Sequence, residues 1–245
     1  MSERSAGPPT DPRTDTTDPK WPKLLSLSAH ELRTPLSVVA GYVRMLLEER
    51  AGPLNDQQRQ LLEKSQKSCG RLTEVLAEMS ELSLLELGEV RFNRRPVSLH
   101  QILTDAVETL PALPSHTVTV TLDSESPALV NGDAVRLRSA FSSVLHALRR
   151  ELVTSDELVV RAEAREEAGT PSVRIAIGER PRIEQLLRPE PRARVTFDEW
   201  RGGNGLGLPK ARRIIEAHGG RVWNVADAGE PEAKASAIVV LPTSG

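Results

Sequence analysis

Ser28-Ala29-His30-Glu31-Leu32-Arg33-Thr34-Pro35-Leu36 is the stretch that decides how this chain reads. Around it, Leu25, Leu32, Leu36, Val39, Val43 and Leu46 recur at helical spacing, which predicts one amphipathic helix from about Trp21 to Arg50. His30 falls on the opposite side of that helix from the stripe, so its imidazole should face water with the Glu31 carboxylate beside it. Pro35 has no N–H for the Glu31 carbonyl and predicts a bend one turn past the histidine. An exposed imidazole, an adjacent acid and a bend suit a nucleophile that must meet several partners in turn.

Ala51-Gly52-Pro53 stops this helix, and Asn55 or Asp56 can cap a second one. Leu62, Cys69, Leu72, Leu76, Met79 and Leu82 give the second helix its own stripe. Two long helices with a short connection predict an antiparallel hairpin. One hairpin leaves its seam half exposed, so a four-helix dimer is the natural solution; packing against the chain's own second domain is the other. The single cysteine, Cys69, excludes an intrachain disulfide and lies on the apolar face, where it reads as a buried thiol.

The nine residues from Ser28 to Leu36 resemble the H-box of the sensor histidine kinases of two-component signalling. That resemblance implies a dimerising helical hairpin followed by an α/β domain that binds ATP and Mg2+ and phosphorylates the histidine. The phosphoryl group then passes to an aspartate on the receiver domain of a response regulator. By the same resemblance His30 is the phosphoacceptor, Glu31 orients or deprotonates it, and Thr34 positions water in the phosphatase reaction.

At 245 residues the chain fits two compact domains and a tail. Residues 1–20, rich in Pro, Asp, Thr and Arg, read as a disordered tail, 21–88 as the dimerisation and phosphoacceptor domain, and 89–245 as the ATPase-like domain. A net charge of −2 from 32 basic and 34 acidic residues argues against nucleic acid as a bulk electrostatic partner. No apolar run approaches the roughly 20 residues of a membrane span, and the expected location is cytoplasmic.

Past Gly88 the hydrophobic period changes. Val90–Arg94 alternates like a short strand, Ser98 and Gln101 open a helix to about Leu110, and Thr117–Leu122 and Ala128–Val130 read as strands. Asp133 caps a helix to about Glu151; Leu158–Ala164 and Ser172–Ile177 pair as strands. A poorly patterned loop leads to a helix at Leu206–Ala217 and a last hairpin, Val222–Val225 with Ala237–Leu241. This order predicts an α+β sandwich with helices on one face of a mixed sheet, the histidine-kinase ATPase type by resemblance.

Gly203, Gly205 and Gly207 ahead of the late helix let backbone amides approach a phosphate. With Glu216-Ala217-His218-Gly219-Gly220-Arg221 they resemble the family's G2 box and make those three glycines the candidate ATP-binding residues. His218-Gly219-Gly220 itself reads as a structural helix terminus. The N-box departs from the family: counting from Asp133-Ala134-Val135-Arg136-Leu137, its two asparagines become Ser143 and Ala147, the latter at the magnesium position. A methyl group offers no lone pair to a hard cation, and no other metal-ligand set stands out.

The G1 box becomes Gly178-Glu179-Arg180-Pro181-Arg182, with Gly178 in place of the adenine-reading aspartate. A one-residue shift would put Glu179 there instead. The lid segment, about Ile183 to Arg201, keeps only Phe197 and Trp200 as aromatics. These readings combine into a signalling protein phosphorylated on His30 and exchanging phosphate with a response regulator, its own ATP chemistry weak or lost. It would act as a homodimer, or as a heterodimer with another histidine kinase. The alternative is a catalytically dead homologue that pairs with or scaffolds an active kinase.

Overall fold

The computed structural model describes residues 20–113, 117–123, 128–152, 155–167, 169–188, 194–199, 205–225 and 235–244. The tail expected over residues 1–20 lies outside them except for Lys20, which opens the first helix. That helix, α1 (Lys20–Leu47), runs unbroken through Pro35 and antiparallel to α2 (Asp56–Glu86). α1 ends three residues before Arg50, where Glu49 turns to φ +56° and pairs its carboxylate with Arg59. Asn55 caps α2 reciprocally: the Gln58 N–H donates to Asn55 Oδ1 at 2.8 Å, and the Asn55 N–H donates to Gln58 Oε1 at 3.0 Å. Near the open end, the buried Ser83 hydroxyl donates to the Pro22 carbonyl at 2.6 Å.

The apolar stripes divide between two uses. Leu25, Ala29 and Val43 on α1, and Cys69, Leu76 and Leu82 on α2, are buried in the hairpin. Leu32, Val39 and Leu72 stay 53%, 51% and 53% exposed. The hairpin therefore uses one half of its apolar arc and leaves the other open. No described helix is long and apolar enough to cross a membrane.

The strand expected at Val90–Arg94 does not form. Those residues are a linker with no ladder partner among the described residues, because Phe92 and Asn93 are engaged sideways by the C-terminal domain. The first strand is β1 (Arg95–Ser98), followed by α3 (Leu99–Glu108), whose Gln101 N–H is capped by Ser98 Oγ at 3.3 Å. Next come β2 (Thr119–Leu122), β3 (Leu129–Gly132), α4 (Ala134–Glu151), β4 (Glu157–Glu167) and β5 (Thr170–Gly178). The chain continues with α5 (Arg180–Leu187), β6 (Arg194–Thr196), α6 (Gly207–Ala217), β7 (Arg221–Val225) and β8 (Ala237–Pro242).

β1 and β3 form a small antiparallel ribbon; the main sheet runs β2-β4-β5-β8-β7-β6, with β2 parallel to β4 and the other neighbours antiparallel. Strand alternation sorts its residues to two faces. Leu158, Val160, Ile175, Ile177 and Val239 pack on one face against Leu103 of α3, Phe141 and Leu145 of α4, and Ile214 and Ile215 of α6. On the other, Val159, Ala176, Ile238 and Val240 pack against Ile183, Leu186 and Leu187 of α5. The sheet thus carries helix on both faces, not one. The sequence signal for α5 is Pro181 in its first turn and Ile183, Leu186 and Leu187 at helical spacing.

Candidate functional site

His30, Glu31 and Thr34 are all solvent-exposed on α1, while Leu25, Ala29 and Val43 turn inward. Because Pro35 cannot donate to the preceding turn, the local backbone needs other support. Ser37 Oγ donates to the Arg33 carbonyl at 2.8 Å, and the Arg33 guanidinium donates across to Ser80 Oγ on α2 at 3.2 Å. One side-chain bond thus links this segment to α2, while the His30 imidazole stays exposed. Thr34, one turn on from His30, shares its side of the helix.

The positions matched to the nucleotide boxes are less open. Ala147 is fully buried in the core under α4, and Ser143, one turn earlier, is half-buried. A Cβ on Gly178 would sit 2.9 Å from Leu186 Cδ1 and 3.5 Å from Ser236 Cβ, so that residue faces α5. Ile175 and Ile177 face the other helices, and by the same alternation the next position on their side is Glu179. Gly178 therefore serves the α5 face of the sheet, and Glu179 follows just past the end of the strand. Glu179 is the extended N-cap of α5 and pairs with Arg182 at 3.8 Å.

The arginines in the place of the G1 glycines are committed elsewhere. Arg180 donates to both Glu157 carboxylate oxygens at 2.8 and 2.7 Å. That fork, together with the Thr121 hydroxyl, holds the Glu157 carboxyl down to about 2. Arg161 joins Asp123 to Glu184 of α5. At the other end of α5, the buried Arg174 donates to the Arg188 carbonyl at 2.9 Å and stacks 5.9 Å from the Trp223 ring centroid. α5 is thus fastened to the sheet at both ends, and the first part of the expected lid segment lies on the sheet's far face.

Of the three candidate glycines, Gly203 lies outside the described residues, as do Asn204 and Trp200. Gly205 takes φ +58°, a left-handed conformation glycine adopts freely, and Gly207 opens α6. His218-Gly219-Gly220 is structural, as its spacing suggested. A Cβ on Gly220 would meet the Val240 carbonyl at 2.5 Å.

Sequence reading missed the contacts that seat the hairpin on the α/β domain. Glu81 of α2 pairs with Arg136 of α4 at 2.6 Å and Lys210 of α6 at 3.2 Å, and Glu86 pairs with Arg213 at 2.6 Å. The available signal was an acidic α2 end and a basic α6, but side-chain partners across domains have no periodicity to read.

Comparisons with known proteins agree with this arrangement. A model of the His Kinase A (phospho-acceptor) domain matches residues 23–88. The chain is 28% identical over 197 residues to the phosphate regulon sensor protein PhoR of Pseudomonas aeruginosa, covering 79% of this chain and 44% of that protein. It is 27% identical over 207 residues to the circadian input-output histidine kinase CikA of Synechococcus elongatus, covering 82% of this chain and 27% of that protein. It therefore spans less than half the length of either relative. Among solved structures, full-length ShkA in complex with AMPPNP superposes with a TM-score of 0.64 at 21% identity, covering 91% of this chain and 46% of that one. The Acinetobacter baumannii histidine kinase AdeS gives 0.51 at 19% identity, covering 88% and 97%. The likeness to these two is one of fold.

Proposed function

We propose that this chain works as a member of the histidine kinases of two-component signalling, which it resembles, and that it exchanges phosphate between His30 and a response regulator while its own ATP chemistry is weak or lost. The observation that carries this is the contrast between the two sites. His30, Glu31 and Thr34 stand open on a well-braced helix, whereas Ala147 is sealed in the core and Arg180 is spent on Glu157. In this reading residues 21–88 are the dimerising phosphoacceptor domain and 89–245 a degenerate ATPase-like domain.

Magnesium-ATP does not fit these residues. Ala147 presents a methyl group where an oxygen ligand is required, and two arginines replace glycines where the backbone must approach the nucleotide. Transfer with a regulator needs only the hairpin. An imidazole nitrogen of His30 attacks the phosphorus of the regulator's aspartyl phosphate; the P–N bond forms as the P–O bond breaks and the aspartate carboxylate leaves. Glu31 stabilises the imidazolium that forms, and the reverse step returns the phosphoryl group to aspartate. Thr34, on the same side of α1, orients water for hydrolysis. The exposed Leu32, Val39 and Leu72 supply the seam of a homodimer, or of a heterodimer with an active kinase that would deliver phosphate in trans.

The test uses receiver domains from the same genome, each loaded with phosphate from a small-molecule donor. His30→Ala should abolish label transfer to the chain, and Thr34→Ala should slow dephosphorylation of the regulator while leaving transfer intact. Absence of phosphohistidine with every receiver and every co-purified kinase would leave only the scaffold role.

A further inference from the structure

We propose that the joint between the hairpin and the α/β domain is an acid-released lock whose pin is His218. His218 is buried at the end of α6 and holds three parts together. Its Nδ1 donates to the Ile214 carbonyl at 2.7 Å, and its Nε2 accepts the Asp133 N–H at 3.0 Å. These roles require the neutral ring with its proton on Nδ1. The imidazole and Phe92 of the linker pack in a T-shape, with ring centroids 5.0 Å apart and planes at 78°.

Phe92 is in turn flanked by the Arg94 and Arg136 guanidinium groups at 5.4 and 5.5 Å, and the neighbouring Asn93 N–H donates to Asp133 Oδ2 at 3.0 Å. Arg136 continues the chain of contacts to Glu81 on α2. The linker is therefore pinned between both domains at one ring.

A second proton on His218 would turn Nε2 into a donor facing the Asp133 N–H. Burial opposes that proton first, and Arg94 and Arg136 repel it; the Ile214 carbonyl and Asp133 favour it. Once it is forced on, the Asp133 amide meets a donor where it had an acceptor, which displaces Asp133 and with it the carboxylate that holds the Asn93 N–H. The hold of Asp133 on the linker at Asn93 then fails, and the linker between the hairpin and the α/β domain loosens while the Glu81 and Glu86 ion pairs still seat the hairpin. Glu78, in the same α2 segment, responds in the opposite sense, because its burial raises its pKa against the pull of Lys210.

Amide hydrogen exchange on the full chain tests this, since Asp133 and Asn93 each report one bond of the lock. Between about pH 7.5 and 5.5, after correction for intrinsic rates, both amides should lose about tenfold in protection while Ile175 in the sheet keeps its own. Gln at 218 (His218→Gln) should remove the pH dependence at Asn93, and Glu78→Gln should leave it in place. Phe92→Leu should leave Asn93 exchanging fast at both pH values, which serves if His218→Gln does not fold. The lock is overturned if protection at Asp133 and Asn93 is flat with pH, is lost in step with Ile175, or follows Glu78→Gln.

Discussion

Gly178→Asp, which restores the family's acid in the place simple alignment gives it, should damage the protein rather than repair its nucleotide site. The Cβ of any side chain there points at Leu186 Cδ1, 2.9 Å away, with Ser236 Cβ at 3.5 Å. The carboxylate would enter the packed layer of Val159, Ala176, Ile238 and Leu186. Gly178→Ala asks only that a terminal methyl rotate and should cost under about 1 kcal/mol. Asp adds overpacking of about 1–3 kcal/mol and an unpartnered buried acceptor of about 1–3 kcal/mol, so about 2–6 kcal/mol together. That is a large part of the roughly 5–15 kcal/mol holding a typical domain folded.

Urea unfolding at constant m-value measures the loss. In a Leu186→Ala background the same Asp should cost about 1 kcal/mol less, because the methyl it meets is gone. A Gly178→Asp protein that unfolds with wild-type stability and gains micromolar magnesium-ATP binding would refute the assignment of Gly178 to the α5 face.

The exposed halves of the two stripes should join copies of the chain. Leu32→Glu with Leu72→Glu should convert a dimer to a monomer by light scattering at micromolar concentration while leaving far-UV helicity unchanged, because neither side chain is buried in the hairpin. Magnesium-ATP should bind more weakly than about 1 mM, under roughly 4 kcal/mol of binding free energy by calorimetry. His218 sets a pH dependence of stability. Its folded pKa lies below the ordinary imidazole value, chiefly through burial, so the unfolded chain takes the proton first as pH falls. Its contribution is fully present above about pH 6.5 and is lost as pH drops below that toward the folded value, and urea midpoints of wild type minus His218→Gln should show that fall.

Much of the fold was legible because it rests on local pattern. The Asn55 cap, the Gly-Pro break, the Asp133 cap and the alternating strands β4, β5 and β8 all formed close to where spacing placed them. α5 was not, although Ile183, Leu186 and Leu187 carry its period, because Gly178–Arg182 aligns with a glycine-rich loop and draws the eye from the pattern after it. Val90–Arg94 misled in the opposite way. Its alternation is real, but Phe92 alternates toward His218 rather than toward a sheet, and only the tertiary partner decides that.

The segment Ser28–Leu36 was readable because its residues are contiguous on one helix, with His30, Glu31 and Thr34 exposed there. Reading the nucleotide side required knowing which face of β5 each residue serves, and a one-residue change of phase reverses that. The ion pairs of Glu81 and Glu86 join elements more than fifty residues apart, and nothing local marks them.

One paired labelling reaction separates a competent His30 from a competent ATP site. The purified full chain is incubated with Mg2+ and γ-labelled ATP in one tube, and with an aspartyl-phosphorylated receiver domain in the other, and acid-labile label is located by mass spectrometry. Phosphate should appear on His30 in the second tube, with little or none in the first. Rapid, stoichiometric labelling of His30 by ATP alone would contradict it.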